Sequence, residues 1–411
     1  MSTYALDAVF RPRSLALVGA SPRERSVGRA ILRNLRDGGF AGPLGVVNPR
    51  YPQIDGVAAV ARLADLGFVP ELVVVSSPAA TVPRVIAEAA AVGARAAIIV
   101  TAGLGHGPGS LLEEAQAAAR ARGLRIVGPN CLGVMAPHAR LNASFAAGAP
   151  LAGDLALVSQ SGAIASGLVE WGKARGVGFS AVVSLGDALD VDGGDLLDWF
   201  AQDPKTRAIL LYIESLQDAR KFMSAARAAA RAKPVVVVKS GRHAQGARAA
   251  ATHTGALAGS DSVYDAAFRR AGLLRVMALD ELFAAAETLG HLRSAPGRRL
   301  AILTNGGGIG VLAVDRLVDM GGTLAAIDDP TRERLEALLP PTWSRANPID
   351  VIGDADAARY AASLEALLAS PENDAVLAMH VPTALSSSHD TAAAVAGVLA
   401  GRPRHSNRKP V

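Results

Sequence analysis

A short apolar run, a Gly/Ser loop and an Ala-rich segment with helical spacing follow one another along most of the chain, the alternation expected of parallel α/β sheets. The pattern starts afresh at three places. Leu15-Ala16-Leu17-Val18 runs into Gly19-Ala20-Ser21, Leu155-Ala156-Leu157-Val158 into Ser159-Gln160-Ser161-Gly162, and Leu300-Ala301-Ile302-Leu303 into Thr304-Asn305-Gly306-Gly307-Gly308. Each predicts the first strand of its own nucleotide-fold-like domain. Further runs at 44–47, 72–76, 96–100 and 125–127, and then at 181–185, 208–213 and 234–239, are almost continuously apolar, as strands covered on both faces are. Proline and small residues interrupt the pattern near 147–153 and 294–299. Domains are therefore predicted over residues 1–148, 149–295 and 296–411. The third offers one more clear strand, at 375–379, and one long helix. Lys409-Pro410-Val411 repeats the way the strand at Lys233-Pro234-Val235 begins, so the third domain is expected to be incomplete.

Composition narrows the class. A chain of 411 residues exceeds what one core usually serves. Half its residues are hydrophobic and 19% charged, which excludes a disordered protein, while 4% aromatic argues against an aromatic-rich binding surface. The 42 basic residues against 37 acidic ones are overwhelmingly arginine and spread along the chain, so no nucleic-acid footprint is read. The one basic cluster, Arg402, Arg404, His405, Arg408 and Lys409, reads as a solvated tail. A single cysteine, Cys131, forms no internal disulfide and reads as a small buried residue. No apolar run has signal-peptide or membrane-span length, so a cytoplasmic protein without membrane association is expected.

Four loops carry candidate chemistry. Gly19-Ala20-Ser21, with Gly28 beyond it, places a tight turn and backbone N–H groups between a strand and a helix, as pyrophosphate sites do. It lacks the Gly-x-Gly-x-x-Gly spacing, and Val47-Asn48-Pro49-Arg50 puts a cation where a dinucleotide site would carry an acid. That cation suits a phosphorylated ribose, which leaves NADP and CoA open; a Gly turn that only packs helix on strand is the structural alternative. The loops Ser159-Gln160-Ser161-Gly162 and Asn305-Gly306-Gly307-Gly308 each precede a helical segment and offer its N–H groups to a phosphate, or are ordinary connections. Thr252-His253-Thr254-Gly255 sets a histidine among small residues. Imidazole is a competent phosphoryl acceptor, and a carboxylate on its other nitrogen would fix the tautomer; Glu214, ending a strand, is the candidate. No metal site is expected. The acids Asp187, Asp190, Asp192, Asp195 and Asp198 lack calcium-loop spacing and read as a solvated loop or helix N-terminus.

These motifs, together with Gly128-Pro129-Asn130-Cys131-Leu132-Gly133, Lys239-Ser240-Gly241-Arg242 and His253-Thr254-Gly255-Ala256-Leu257-Ala258-Gly259, stand in an order that resembles the NDP-forming acyl-CoA synthetases over nearly the whole chain. That family includes ADP-forming acetate–CoA ligase and is related to the succinyl-CoA synthetase alpha subunit. The resemblance implies an α/β architecture: a CoA-binding Rossmann-like domain, a flavodoxin-like domain carrying a phosphohistidine, and a ligase-type domain. It also implies that Gly19, Ser21, Gly28, Asn48, Arg50, Ser77, Pro78, Thr101 and Asn130 bind CoA. Ser159, Gln160, Ser161, Gly162, Asn305, Gly306, Gly307 and Gly308 would hold phosphate, and Ser166 would shape the acyl pocket. In the family, acyl-CoA and phosphate give an acyl phosphate, the phosphoryl group passes to histidine, and a swinging loop carries it to ADP. His253 would be that histidine and Glu214 its partner. The nucleotide step, with ADP or ATP and Mg2+, would belong to an ATP-grasp domain or beta-type subunit, and an oligomer is expected by analogy. A non-catalytic CoA or acyl-CoA sensor and an NADP-dependent oxidoreductase are the alternatives. The acyl-CoA or small carboxylic acid stays open.

Overall fold

The computed structural model describes residues 3–246, 248, 260–292, 297–402 and 409–411. Two compact units divide it, Met1–His291 and Leu292–Val411.

The larger unit begins with a sheet of β1 (Leu15–Val18), β2 (Leu44–Val47), β3 (Gln53–Ile54), β4 (Val57–Val60), β5 (Leu72–Val75), β6 (Ala96–Ile99) and β7 (Arg125–Val127). Its spatial order is 3-4-2-1-5-6-7, parallel except for the β3–β4 pair. All four residues of β1, β5 and β6 are buried, as both-face coverage requires. Alternate residues go to opposite cores: Leu15, Leu17, Leu72 and Val74 face one, Ala16, Val18, Val73 and Val75 the other. The helix Val27–Asp37 starts because the Ser26 hydroxyl accepts the Arg29 N–H at 3.2 Å. It buries Ile31, Leu32 and Leu35.

A second sheet follows, built from β8 (Gly133–Ala136), β9 (Leu141–Ser144), β10 (Ala152–Ser159), β11 (Phe179–Ser184), β12 (Ala208–Ile213), β13 (Val235–Lys239) and β14 (Leu274–Val276). Its order is 14-13-12-10-11-8-9. Strands β10 to β14 are parallel, and β8 and β9 add antiparallel at the β11 edge. The hairpin of β8 and β9 precedes residue 148 in sequence, yet its ladder partner is β11, through Val134↔Val183 and Met135↔Val182. Gly133 makes the hairpin possible: φ is +118°, and a Cβ there would lie 2.1 Å from the Ala143 carbonyl oxygen. One core cluster runs without interruption from Leu17 and Val74 of the first sheet to Val158, Val183 and Leu211 of the second. The Asn34 amide, on the first sheet's helix, donates to the Ser144 and Ala146 carbonyls at 2.8 and 2.9 Å.

In the smaller unit, β15 (Arg299–Thr304) pairs with β18 (Ala375–Met379) along residues 300–304. At its two ends β15 pairs with β16 (Thr323–Leu324) and β17 (Ile349–Asp350). Among the described residues four helices, Gly307–Asp319, Asp329–Leu338, Ala357–Ala369 and Ser388–Ala400, accompany them, more than the one strand and one helix expected after β15. The Val376 N–H donates to the Pro410 carbonyl at 3.0 Å, so the Lys-Pro-Val stretch lies beside β18. Among the described residues no helix is long and apolar enough to cross a membrane.

Leu157, fully buried mid-strand in β10, belongs to the core on the far face of the second sheet. Leu157→Ala is expected to cost about 2–5 kcal/mol. Urea unfolding should show a lowered midpoint; an unchanged midpoint would contradict this packing.

Candidate functional site

The carboxyl ends of both sheets in the larger unit open onto one cavity of about 880 Å³. Ser77, Pro78, Thr101 and Asn130 reach it from the first sheet, and Gln160, Ser161, Gly162, Ser166 and Asp187 from the second. Ligands of α/β sheets bind at such strand ends. A groove of about 460 Å³ shares Val27, Ser76, Ser77 and Pro78 with this cavity and continues past Gly19, Ser21, Gly28, Asn48 and Arg50. Arg23 and Arg84 also line it. Neither was singled out from sequence; Arg84 could have been, because the first turn of the helix Val82–Ala91 follows β5 and must stand at the strand ends.

The groove is built around close backbone approach. Gly19 has φ +99°, and a Cβ on it would meet the Ser77 nitrogen at 2.5 Å. A Cβ on Gly28 would meet the Ala20 Cα at 2.7 Å. The Asn48 side chain is a brace: its amide donates to the Ala20 carbonyl at 2.7 Å and its oxygen accepts the Arg50 N–H at 2.8 Å. Thr101 donates its hydroxyl hydrogen to the Ser77 carbonyl at 2.7 Å. Asn130 adopts φ +56° and donates from its amide to Asp187 at 3.2 Å.

Beyond β10, Ser159 is fully buried, and its hydroxyl both donates to the Ser161 carbonyl, at 2.7 Å, and accepts the Ser161 N–H, at 3.1 Å. That brace turns the chain so that the Ser161 hydroxyl caps the helix Gly162–Arg175 by accepting the Ile164 N–H. The helix's first turn then faces the cavity with the N–H groups and dipole end that favour an anion. Glu214 follows β12 and is 7% exposed. Burial raises the pKa of the Tyr212 hydroxyl, and the nearby Glu214 charge raises it further. Lys239 is buried with its ammonium 4.7 Å from the Tyr264 ring centroid, and burial lowers its pKa. His253 lies outside the described residues.

In the smaller unit the loop Thr304-Asn305-Gly306 repeats the same construction. The Thr304 hydroxyl donates to the Gly306 carbonyl at 3.2 Å and accepts the Gly306 N–H at 3.0 Å. Gly306 then begins the helix Gly307–Asp319, with Gly307 and Gly308 in its first turn.

The acidic run does include a helix N-terminus, as one of its two expected readings has it, but it is less solvated than the other implies. Asp192 does cap a helix, accepting the Gly194 and Asp195 N–H groups at 2.8 and 3.0 Å. Asp195, however, is 1% exposed, because its carboxylate ties the helix Gly193–Gln202 to Arg125 of β7 and to Lys221 of the helix Ala219–Ala232. Burial raises its pKa. Among the described residues no group of acids, histidines or cysteines is arranged to hold a metal.

Three domain families match the chain in order: a CoA binding domain over residues 13–137, a succinyl-CoA ligase like flavodoxin domain over 152–289 and a Ligase-CoA domain over 300–406. The chain is 38% identical to the acetate–CoA ligase [ADP-forming] I subunit alpha of Pyrococcus furiosus, across 93% of its own length and 84% of that protein's. It is 40% identical to the acetate–CoA ligase [ADP-forming] I of Archaeoglobus fulgidus, across 92% of its own length but 55% of that protein's. It thus spans about half the length of such longer relatives. The solved dinucleotide forming acetyl-coenzyme A synthetase 1 of Ca. Korarchaeum cryptofilum, in complex with phosphate and ADP, superposes with a TM-score of 0.92 at 34% identity, covering 99% of this chain and 88% of that one.

Cys131 borders the cavity, but burial pushes its thiol up to about 12. At pH 8 only about one molecule in ten thousand would carry the thiolate. The folded chain should therefore resist iodoacetamide at pH 8 and react once unfolded in urea, with the folded rate rising about tenfold per pH unit as the thiolate fraction grows. Rapid alkylation of the folded chain at pH 8 would contradict this environment.

Proposed function

This chain belongs to the family of ADP-forming acetate–CoA ligases, and we propose that it is the CoA-binding, phosphohistidine-carrying part of an acyl-CoA synthetase. The observation that carries the reading is the single cavity in which a coenzyme-sized groove from the first sheet meets the capped helix start after Ser161.

The groove suits the nucleotide half of CoA. Gly19 and Gly28 let the coenzyme approach the backbone, and Arg50, Arg23 and Arg84 supply cations for its phosphates. The pantetheine arm would run past Ser77 and Pro78 to Thr101 and Asn130, bringing the thioester beside Ser161, Gly162 and Ser166. Phosphate held at the helix start attacks the thioester carbonyl. The C–S bond breaks as the C–O bond forms, and CoA leaves as the thiol. A His253 ring nitrogen then attacks phosphorus, and the carboxylic acid departs as its carboxylate. Glu214, placed at the end of β12, fixes the tautomer of the ring and stabilises the charged adduct. The reverse sequence makes acyl-CoA. Transfer between the phosphohistidine and ADP, with Mg2+, belongs to an ATP-grasp domain or beta-type partner. The loop Asn305-Gly306-Gly307-Gly308 is the further phosphate-binding candidate. The NADP alternative loses ground to the relatives, which are CoA ligases.

Incubated with radiolabelled phosphate and short acyl-CoAs, the chain should take up acid-labile, base-stable label, and His253→Ala should take up none. Label of the same kind on His253→Ala would overturn the assignment of the acceptor. Absence of label from both, with CoA still bound, would leave a coenzyme-binding role in place of the relay.

A further inference from the structure

The resemblance groups Gln160 with the phosphate ligands, yet its carboxamide is engaged elsewhere. Its oxygen accepts the backbone N–H of Glu214 and, at 3.0 Å, that of Ser215. Its amide donates to the Ser215 carbonyl at 3.0 Å, and its own N–H donates to the Tyr212 carbonyl at 3.1 Å. A carboxamide oxygen has two lone pairs, and both are directed at the start of the loop after β12. That loop begins with Glu214.

The smaller unit carries the same device at the corresponding place. Asn305 follows β15 as Gln160 follows β10. Its oxygen accepts the Val381 N–H at 2.7 Å and the Tyr360 hydroxyl at 2.9 Å, and its amide donates to the Val381 carbonyl at 2.8 Å. Ser159 is in register with Tyr212, and Thr304 with Met379. In both units the carboxamide therefore grips the residue two beyond the registered partner, Glu214 in one and Val381 in the other. A repeated clamp of this kind fixes a neighbouring strand-end loop. Only in the larger unit does the gripped residue carry an ionisable group.

We propose that Gln160 is a positioning residue that acts through Glu214, and is not a phosphate ligand. This rests on the reading of Glu214 as the carboxylate partner of the phosphohistidine. A glutamate has three rotatable side-chain bonds, and the clamp removes the backbone contribution to its wandering. A misplacement of about 1 Å can cost about a hundredfold in rate.

The test is a double-mutant cycle on the rate of phosphohistidine formation from acetyl-CoA and labelled phosphate, with CoA affinity and the phosphate KM measured on each variant. Gln160→Ala is expected to slow labelling about 10- to 100-fold when Glu214 is present and less than about twofold in a Glu214→Gln background. CoA affinity and the phosphate KM should stay within about twofold. Gln160→Glu keeps the length and one oxygen for the two N–H groups but turns the other oxygen toward the Ser215 carbonyl. It should fall between wild type and Gln160→Ala, and its unfolding midpoint separates misplacement from misfolding. An equal loss in both backgrounds, or a raised phosphate KM, overturns the positioning role while the role of Glu214 stands. Wild-type labelling by Glu214→Gln removes the role of Glu214 itself, and the inference with it.

Discussion

Everything in the larger unit depends on the antiparallel pairing of β8 with β11. The chain leaves the first sheet at β7, passes Gly128-Pro129-Asn130, and joins the second sheet before that sheet has otherwise begun. Because the hairpin belongs to the second sheet while β7 belongs to the first, only the short segment 128–132 joins the two sheets at this point. The loop after β11 returns the tie: the Asp187, Leu189 and Val191 N–H groups donate to the Pro129, Gly128 and Ile126 carbonyls at 3.0 Å. Arg125 adds ion pairs to Asp190 and Asp195 at 2.8 and 3.1 Å. Fixed in this way, both sets of carboxyl strand ends face one cavity, as the proposed delivery of a thioester from the first sheet to the second requires.

Within that frame the chemistry is arranged by short polar side chains that turn inward. A hydroxyl closes the turn after β10 and another closes the turn after β15, each bonding the residue two further on in both directions. A carboxamide beside each grips the neighbouring loop. Buried polar groups of this sort stabilise only when fully satisfied, and here the geometry satisfies them. The helix starts that follow have their N–H groups held in place before any ligand arrives, which is the condition under which such dipoles would contribute most to a transition state at the proposed phosphate sites.

The sequence carried the three strands that contain Leu15, Leu155 and Leu300, though β10 and β15 begin earlier, at Ala152 and Arg299, and the loops that follow them, because apolar runs ending in Gly or Ser are a local signal. It also carried the family, through strings such as Gly-Pro-Asn-Cys-Leu-Gly. It did not carry the hairpin, whose partner strand lies more than forty residues onward and leaves no mark on Val134 or Met135. Nor did it show which way Asn48, Gln160 and Asn305 point. A polar residue in a loop reads as a ligand, and only the position of a neighbouring carbonyl or N–H reveals a brace. Asp195 reads as part of a solvated loop or helix N-terminus, and it does stand in a helix's first turn, but its burial is not legible because its partners, Arg125 and Lys221, lie on other elements.

The central claim is that one cavity receives the thioester end of CoA from the first sheet and phosphate at the helix start of the second. A crystal structure of the chain with CoA and phosphate tests it most directly. The account predicts the pantetheine thiol beside Asn130, phosphate against the backbone N–H groups that follow Ser161, and the Gln160 carboxamide still bonded to Glu214 and Ser215. A coenzyme whose thiol points away from this cavity, or a phosphate held by the Gln160 side chain, would contradict it.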